Sequence, residues 1–138
     1  MVNKTHIANG CDRDIFAMTD MDRNVHTKEL KAVSAGFKDL GNIEAKEERC
    51  NQIFHIAESR GFTKIRPGLY LPFEPSGEGC VYISIVTHND DGNLHVIASA
   101  FPQGQNHSVI VGDDIQIYAA KMGEIWIDDN DRKFGPEK

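Results

Sequence analysis

Val81-Tyr82-Ile83-Ser84-Ile85, running on to Asn89-Asp90-Asp91-Gly92, is the stretch that decides the fold. Aliphatic residues at 81, 83 and 85 alternate with Tyr82 and Ser84, the period-2 pattern of a strand with two unlike faces. The Asp-Gly pair supplies a turn, because both residues tolerate the positive φ of a tight hairpin. Beyond it Leu94, Val96 and Ala98 resume the alternation. Val109 and Val111, Ile115 and Ile117, and Ile125 and Ile127 continue it, separated by Gly112-Asp113 and Met122-Gly123. Residues 62–129 therefore read as an antiparallel meander.

Working outward, residues 4–9 and 14–19 form two short strands joined at Asn9-Gly10-Cys11-Asp12, which predicts an N-terminal hairpin over 4–19. Ile7-Ala8-Asn9-Gly10-Cys11, followed by Asp14-Ile15-Phe16-Ala17-Met18, resembles the first hairpin of many β-sandwich binding and lytic proteins, without naming a family. After Asp20 the period changes. Leu30, Val33, Phe37 and Leu40 recur at helical spacing, with Thr27 as N-cap, Gly41 as stop and Gly36 weakening the helix. A second helix starts at Asn42, carries Glu44 in its first turn and stops at Gly61. Its Ile43, Cys50, Ile53, Phe54 and Ala57 share an arc of about 100°. Glu44, Glu48, Gln52, His55 and Ser59 take the other side.

Residues 27–60 are thus a helical insertion. Pro67, Pro72 and Pro75 each remove a ladder donor, which puts residues 62–75 at an edge or outside a sheet. Ser76-Gly77-Glu78-Gly79 reads as a turn, and residues 130–138 as a polar tail that frays. Together these predict one domain over 1–138, of α+β class and mainly antiparallel β. The architecture expected is a small sandwich or curved meander sheet with a two-helix insertion.

The 138 residues carry 40% hydrophobic and 26% charged side chains, the balance of a folded soluble chain. The formal net charge is −6, and no basic stripe is visible, which argues against nucleic acid and against docking to an anionic membrane. No apolar run reaches membrane-spanning length, and the first residues lack the apolar core of a signal peptide. Cys11, Cys50 and Cys80 are odd in number and show no Cys-x-x-Cys spacing. Reduced thiols in the cytoplasm are expected, with a secreted chain trimmed of its leader as the alternative. The sequons at Asn3 and Asn106 matter only in the second case.

Motifs of chemistry are thin. Asp20-Met21-Asp22-Arg23-Asn24 matches the opening ligands of a calcium loop. It then places Val25 where glycine is needed and Lys31 where a carboxylate must close the site. Six histidines lack the i, i+4 spacing of a helical zinc pair, although His88 and His95 flank one hairpin. No Gly-x-Ser-x-Gly elbow occurs, Cys50 and His55 lie about 140° apart on their helix, and no phosphate-binding loop opens a helix. No metal and no cofactor are expected.

Strand parity does gather one group. Opposite the aliphatic face fall Tyr82, Ser84, His95, Gln116, Tyr118 and Trp126, aromatic rings with polar handles among hydrogen-bonding side chains. The expectation is a non-enzymatic binding or interaction module. Tyr82, His95, Tyr118 and Trp126, or surface loops, would meet a glycan, lipid or protein partner. The competing reading is that the two helices simply cover this face. Two alternatives stand beside it: a thiol-dependent hydrolase centred on Cys80 with His88 or His107, and an inhibitor that presents the Pro-rich segment 66–76.

Overall fold

The computed structural model describes residues 5–38, 46–73, 80–104, 107–121, 125–128 and 133–136. Strands β1 (Thr5–Asn9) and β2 (Ile15–Asp20) precede helices α1 (Arg23–Lys38) and α2 (Lys46–Ser59). Then come β3 (Thr63–Ile65), β4 (Tyr70–Phe73), β5 (Cys80–His88) and β6 (Leu94–Gly104). The chain continues through β7 (His107–Val111), β8 (Ile117–Lys121), β9 (Ile125–Asp128) and β10 (Lys133–Pro136). One four-stranded sheet has the order β4-β1-β7-β8 and another the order β3-β2-β5-β6, with β9 and β10 paired separately. The class is α+β with mostly antiparallel strands, as the alternation requires.

The two large sheets pack face to face. Ile7, Val109 and Val111 from one meet Ile15, Ala17, Ile65, Ile83, Ile85 and Ala98 from the other in a single apolar layer. A second layer lies under the helices, where Phe16, Met18 and Val86 meet Leu30, Val33, Ala57 and Phe62. One outer face of the sandwich is therefore covered and the aliphatic face of β5 is its interior, because alternate residues of a strand point to opposite sides.

Several expectations change. β1 and β2 do not form a hairpin. β1 pairs with β4 and, in parallel, with β7, whereas β2 pairs with β3 and β5. Buried Asn9 explains why. Its Nδ2 donates to the Arg13 and Ile65 carbonyls at 2.8 Å each, and its Oδ1 accepts the Cys11 N–H at 3.0 Å. The Asn-Gly pair thus opens a crossing between sheets instead of a tight turn. The meander is interrupted in the same way: β5–β6, β7–β8 and β9–β10 are antiparallel neighbours, but the chain changes sheet between β6 and β7.

Helix α1 begins four residues before Thr27, because the Asp22 carboxylate accepts the Asn24 N–H at 2.8 Å and caps the helix. Ile115 belongs to a turn at φ 59°, held by Ile115 N–H to the Gly112 carbonyl at 3.0 Å, and β8 starts later. The polar tail contributes β10, whose Lys133–Pro136 pair with β9. The Pro-containing segment does lie at edges: β3 borders one sheet and β4 the other. The expected cap at Asn42, with Ile43 and Glu44, and the turn 76–79 lie outside the described residues. Among the described residues no helix is long and apolar enough to cross a membrane.

Candidate functional site

The four residues expected on one aromatic face are separated. Tyr82 sits half-buried on β5 beneath α1, its ring edge-on to His26 with centroids 6.2 Å apart. His95 pairs with Thr87, so it shares that residue's face and not Tyr82's. His88 pairs with Leu94 one position on, so the two hairpin histidines project to opposite faces. Tyr118 belongs to β8 of the other sheet, is 48% exposed and donates its hydroxyl to the Asp114 carboxylate. That bond holds the phenol proton and raises its pKa. Trp126 is on β9, opposite Gly135, and its side chain lies outside the described residues.

Beneath α1 the structure forms a pair that the sequence did not reveal. Ser84 Oγ and His26 Nδ1 are 2.6 Å apart, and His26 Nε2 is 3.2 Å from the Asp20 carbonyl. A carbonyl only accepts, so Nε2 carries the proton and Nδ1 accepts from Ser84. Ser84 Oγ in turn accepts the Ala100 N–H at 3.0 Å. Ser84 and His26 are fully buried, and every polar atom of the pair is engaged. A serine nucleophile needs a route to substrate. This pair instead fastens α1 to β5 and β6. The signal was present but faint, since Ser84 was legible on that face and only the missing contact between the helix and the sheet hid His26.

The thiols and the acidic loop resolve similarly. Buried Cys11 donates its Sγ–H to Asn9 Oδ1 at 2.8 Å, and burial pushes its thiol pKa up, which disfavours the reactive thiolate. Cys50 is buried in α2. Cys80 and His88 occupy opposite ends of β5, about 26 Å apart at the usual rise per residue, so they cannot act together. The side chains of Cys80 and His107 lie outside the described residues. In the calcium-like loop, Asp20 Oδ1 accepts the Asp22 N–H at 2.7 Å and Asp22 caps α1, so both carboxylates serve the backbone. The Pro-rich segment is tied down at its start, where Gly68 N–H donates to the Asn9 carbonyl at 2.8 Å and Asn9 N–H to the Leu69 carbonyl at 2.9 Å. Pro75 and Ser76 lie outside the described residues.

A cleft of about 580 Å³ opens where the end of β2, the start of α1 and the α2–β3 turn converge. Gly61, at φ 89°, builds its far wall. Phe62 N–H reaches back to the Ala57 carbonyl at 3.1 Å and Gly61 N–H to the Glu58 carbonyl at 3.2 Å, the glycine-dependent stop that ends a helix. The stop swings Arg60 across to α1, where its Nε and Nη2 donate to the two Glu29 carboxylate oxygens at 2.8 and 3.3 Å. Asp20, Thr19 and Thr63 add polar groups around this fork, and Met18, Val25 and Phe73 add apolar wall. Thr5, opposite Phe73 in register, keeps a buried hydroxyl with no partner among the described residues. Glu29 and Arg60 were not singled out from sequence, because a helix surface charge and a post-helix arginine look like ordinary solvated groups. Only the Gly61 stop pointed here.

Fold and cleft together define a two-sheet α+β sandwich with a helical cover and a mixed-charge recess at one edge. Comparison finds no family model that matches the chain, and no curated protein or solved structure with significant similarity to it.

Proposed function

We propose that this chain is a non-enzymatic binding module that takes a glycan in the Glu29–Arg60 cleft. The observation that carries the reading is the two-point guanidinium–carboxylate fork on the cleft wall. A sugar hydroxyl both donates and accepts, so a fixed pair offering one acceptor and one donor group answers it from both sides. Thr19, Thr63 and Asp20 extend the same chemistry, and Phe73 offers an aromatic surface for a sugar's apolar face. The volume suits one or two sugar rings better than an extended protein or an acyl chain.

The test is a glycan array probed with the whole protein, followed by calorimetry on the glycans retained. Arg60→Lys keeps the charge and removes the planar fork, and Glu29→Gln removes the paired acceptor. Each is expected to weaken binding by about tenfold or more, with the far-ultraviolet spectrum unchanged. An array without a retained glycan, or binding indifferent to both substitutions, would overturn the proposal.

A further inference from the structure

The opposite flank of α1 carries a second kind of surface. At 100° per residue, Thr27, Lys31, Ser34 and Lys38 fall within about 60° of one another, and nearly the full width of the helix separates them from Val25 and Glu29. With Leu30, Ala35 and Ser99 of β6 they line a groove of about 380 Å³. Among the described residues no carboxylate lines it, in a chain that has 21 acidic and 15 basic residues. Among the described residues neither Lys31 nor Lys38 makes an ion pair, and the Ser34 and Ser99 hydroxyls hold no hydrogen bond. Ser99 is exposed beside Ala100, whose φ of 51° marks the irregular stretch of β6.

The spacing suits a two-headed ligand. Seven helical residues separate the two lysine positions by about 10 Å along the axis, a span that a molecule with an anionic group at each end bridges while both side chains stay extended. Lys38 also stands in the last turn, where positive charge offsets the helix carbonyls, but that role does not extend to Lys31 in the middle of the helix. We infer that this groove binds a small molecule bearing two phosphate groups, one held by each lysine, with the Ser34 and Ser99 hydroxyls between them. The site is independent of the glycan cleft, which lies on the other flank.

Calorimetry at low salt with the whole protein tests this, using fructose 1,6-bisphosphate as the probe and inorganic phosphate as its one-headed control. The bisphosphate is expected to bind at least tenfold more tightly than phosphate, and binding should weaken steeply as salt is raised. Lys31→Ala and Lys38→Ala each place a strong helix former in α1, so the fold is kept, and each should cost about tenfold. Lys31→Arg should retain binding, and Glu29→Gln should leave it unchanged. Sedimentation with vesicles containing a bisphosphorylated inositol lipid distinguishes the source: co-sedimentation assigns the groove to a lipid headgroup, and binding of the free bisphosphate alone assigns it to a soluble one. Failure to bind either, equal affinity for phosphate and bisphosphate, or indifference to Lys31→Ala would each overturn the inference.

Discussion

The two faces of β5 are made of the same nine residues and obey the same alternation, yet they are specified by different physics. On the inner face Val81, Ile83 and Ile85 are fully buried, the two isoleucines against the opposing sheet. Aliphatic side chains there are constrained by volume and by nothing else. On the outer face each residue meets a different kind of partner: Tyr82 the edge of His26, Ser84 the His26 ring nitrogen and the Ala100 N–H, Val86 the Phe16 layer. Burial on the inside follows from composition alone. Burial on the outside exists because the helices arrive with matching groups.

That contrast can be broken at three positions. Ile83→Ala removes a fully enclosed side chain from between two sheets and should cost about 4 kcal/mol, read as a lowered urea midpoint at constant m-value. A cost near 1 kcal/mol would mean that the interior collapses around the loss and is not tightly specified.

Ser84→Ala leaves His26 Nδ1 and the Ala100 N–H without their partner and should cost about 1–3 kcal/mol by the same measurement. An unchanged midpoint would show that the buried hydroxyl contributes nothing to docking α1. Tyr82→Ala, at a half-covered site, should cost about 1 kcal/mol. A loss equal to that of Ile83→Ala would erase the distinction between the faces.

What the sequence made legible follows the same division. The alternation in β5 exposed the inner face completely, because strand parity is a local property. The apolar stripe of α2 likewise placed Ile53 and Ala57 in the interior, both fully buried, whereas Phe54 is only half-covered, its ring 4.9 Å from that of Phe16. Sheet membership was not legible. Nothing local in Asn9-Gly10 distinguishes a tight turn from a crossing, because the deciding bond runs from Asn9 to the distant Ile65 carbonyl. The aromatic face dissolved for that reason: Tyr82 and Tyr118 share parity but not a sheet. The cleft depends on Glu29 meeting Arg60 across two helices, a pairing that no periodicity encodes.

The parallel pairing of β1 with β7 sets His6 opposite Ser108, and this has a consequence for synthesis on the ribosome. Strands β2, β3, β5 and β6 are all delivered before β7, so the helix-covered sheet can close while the chain is still growing. Strand β1 cannot. Until β7 emerges it has only β4 beside it, with one backbone edge unpaired and Ile7 waiting for its interior. Long-range pairing of this kind is slow, and an open edge is a template for another nascent chain. Strand β1 thus waits longest for its partner, and for that interval it is the part of the molecule most in need of a chaperone.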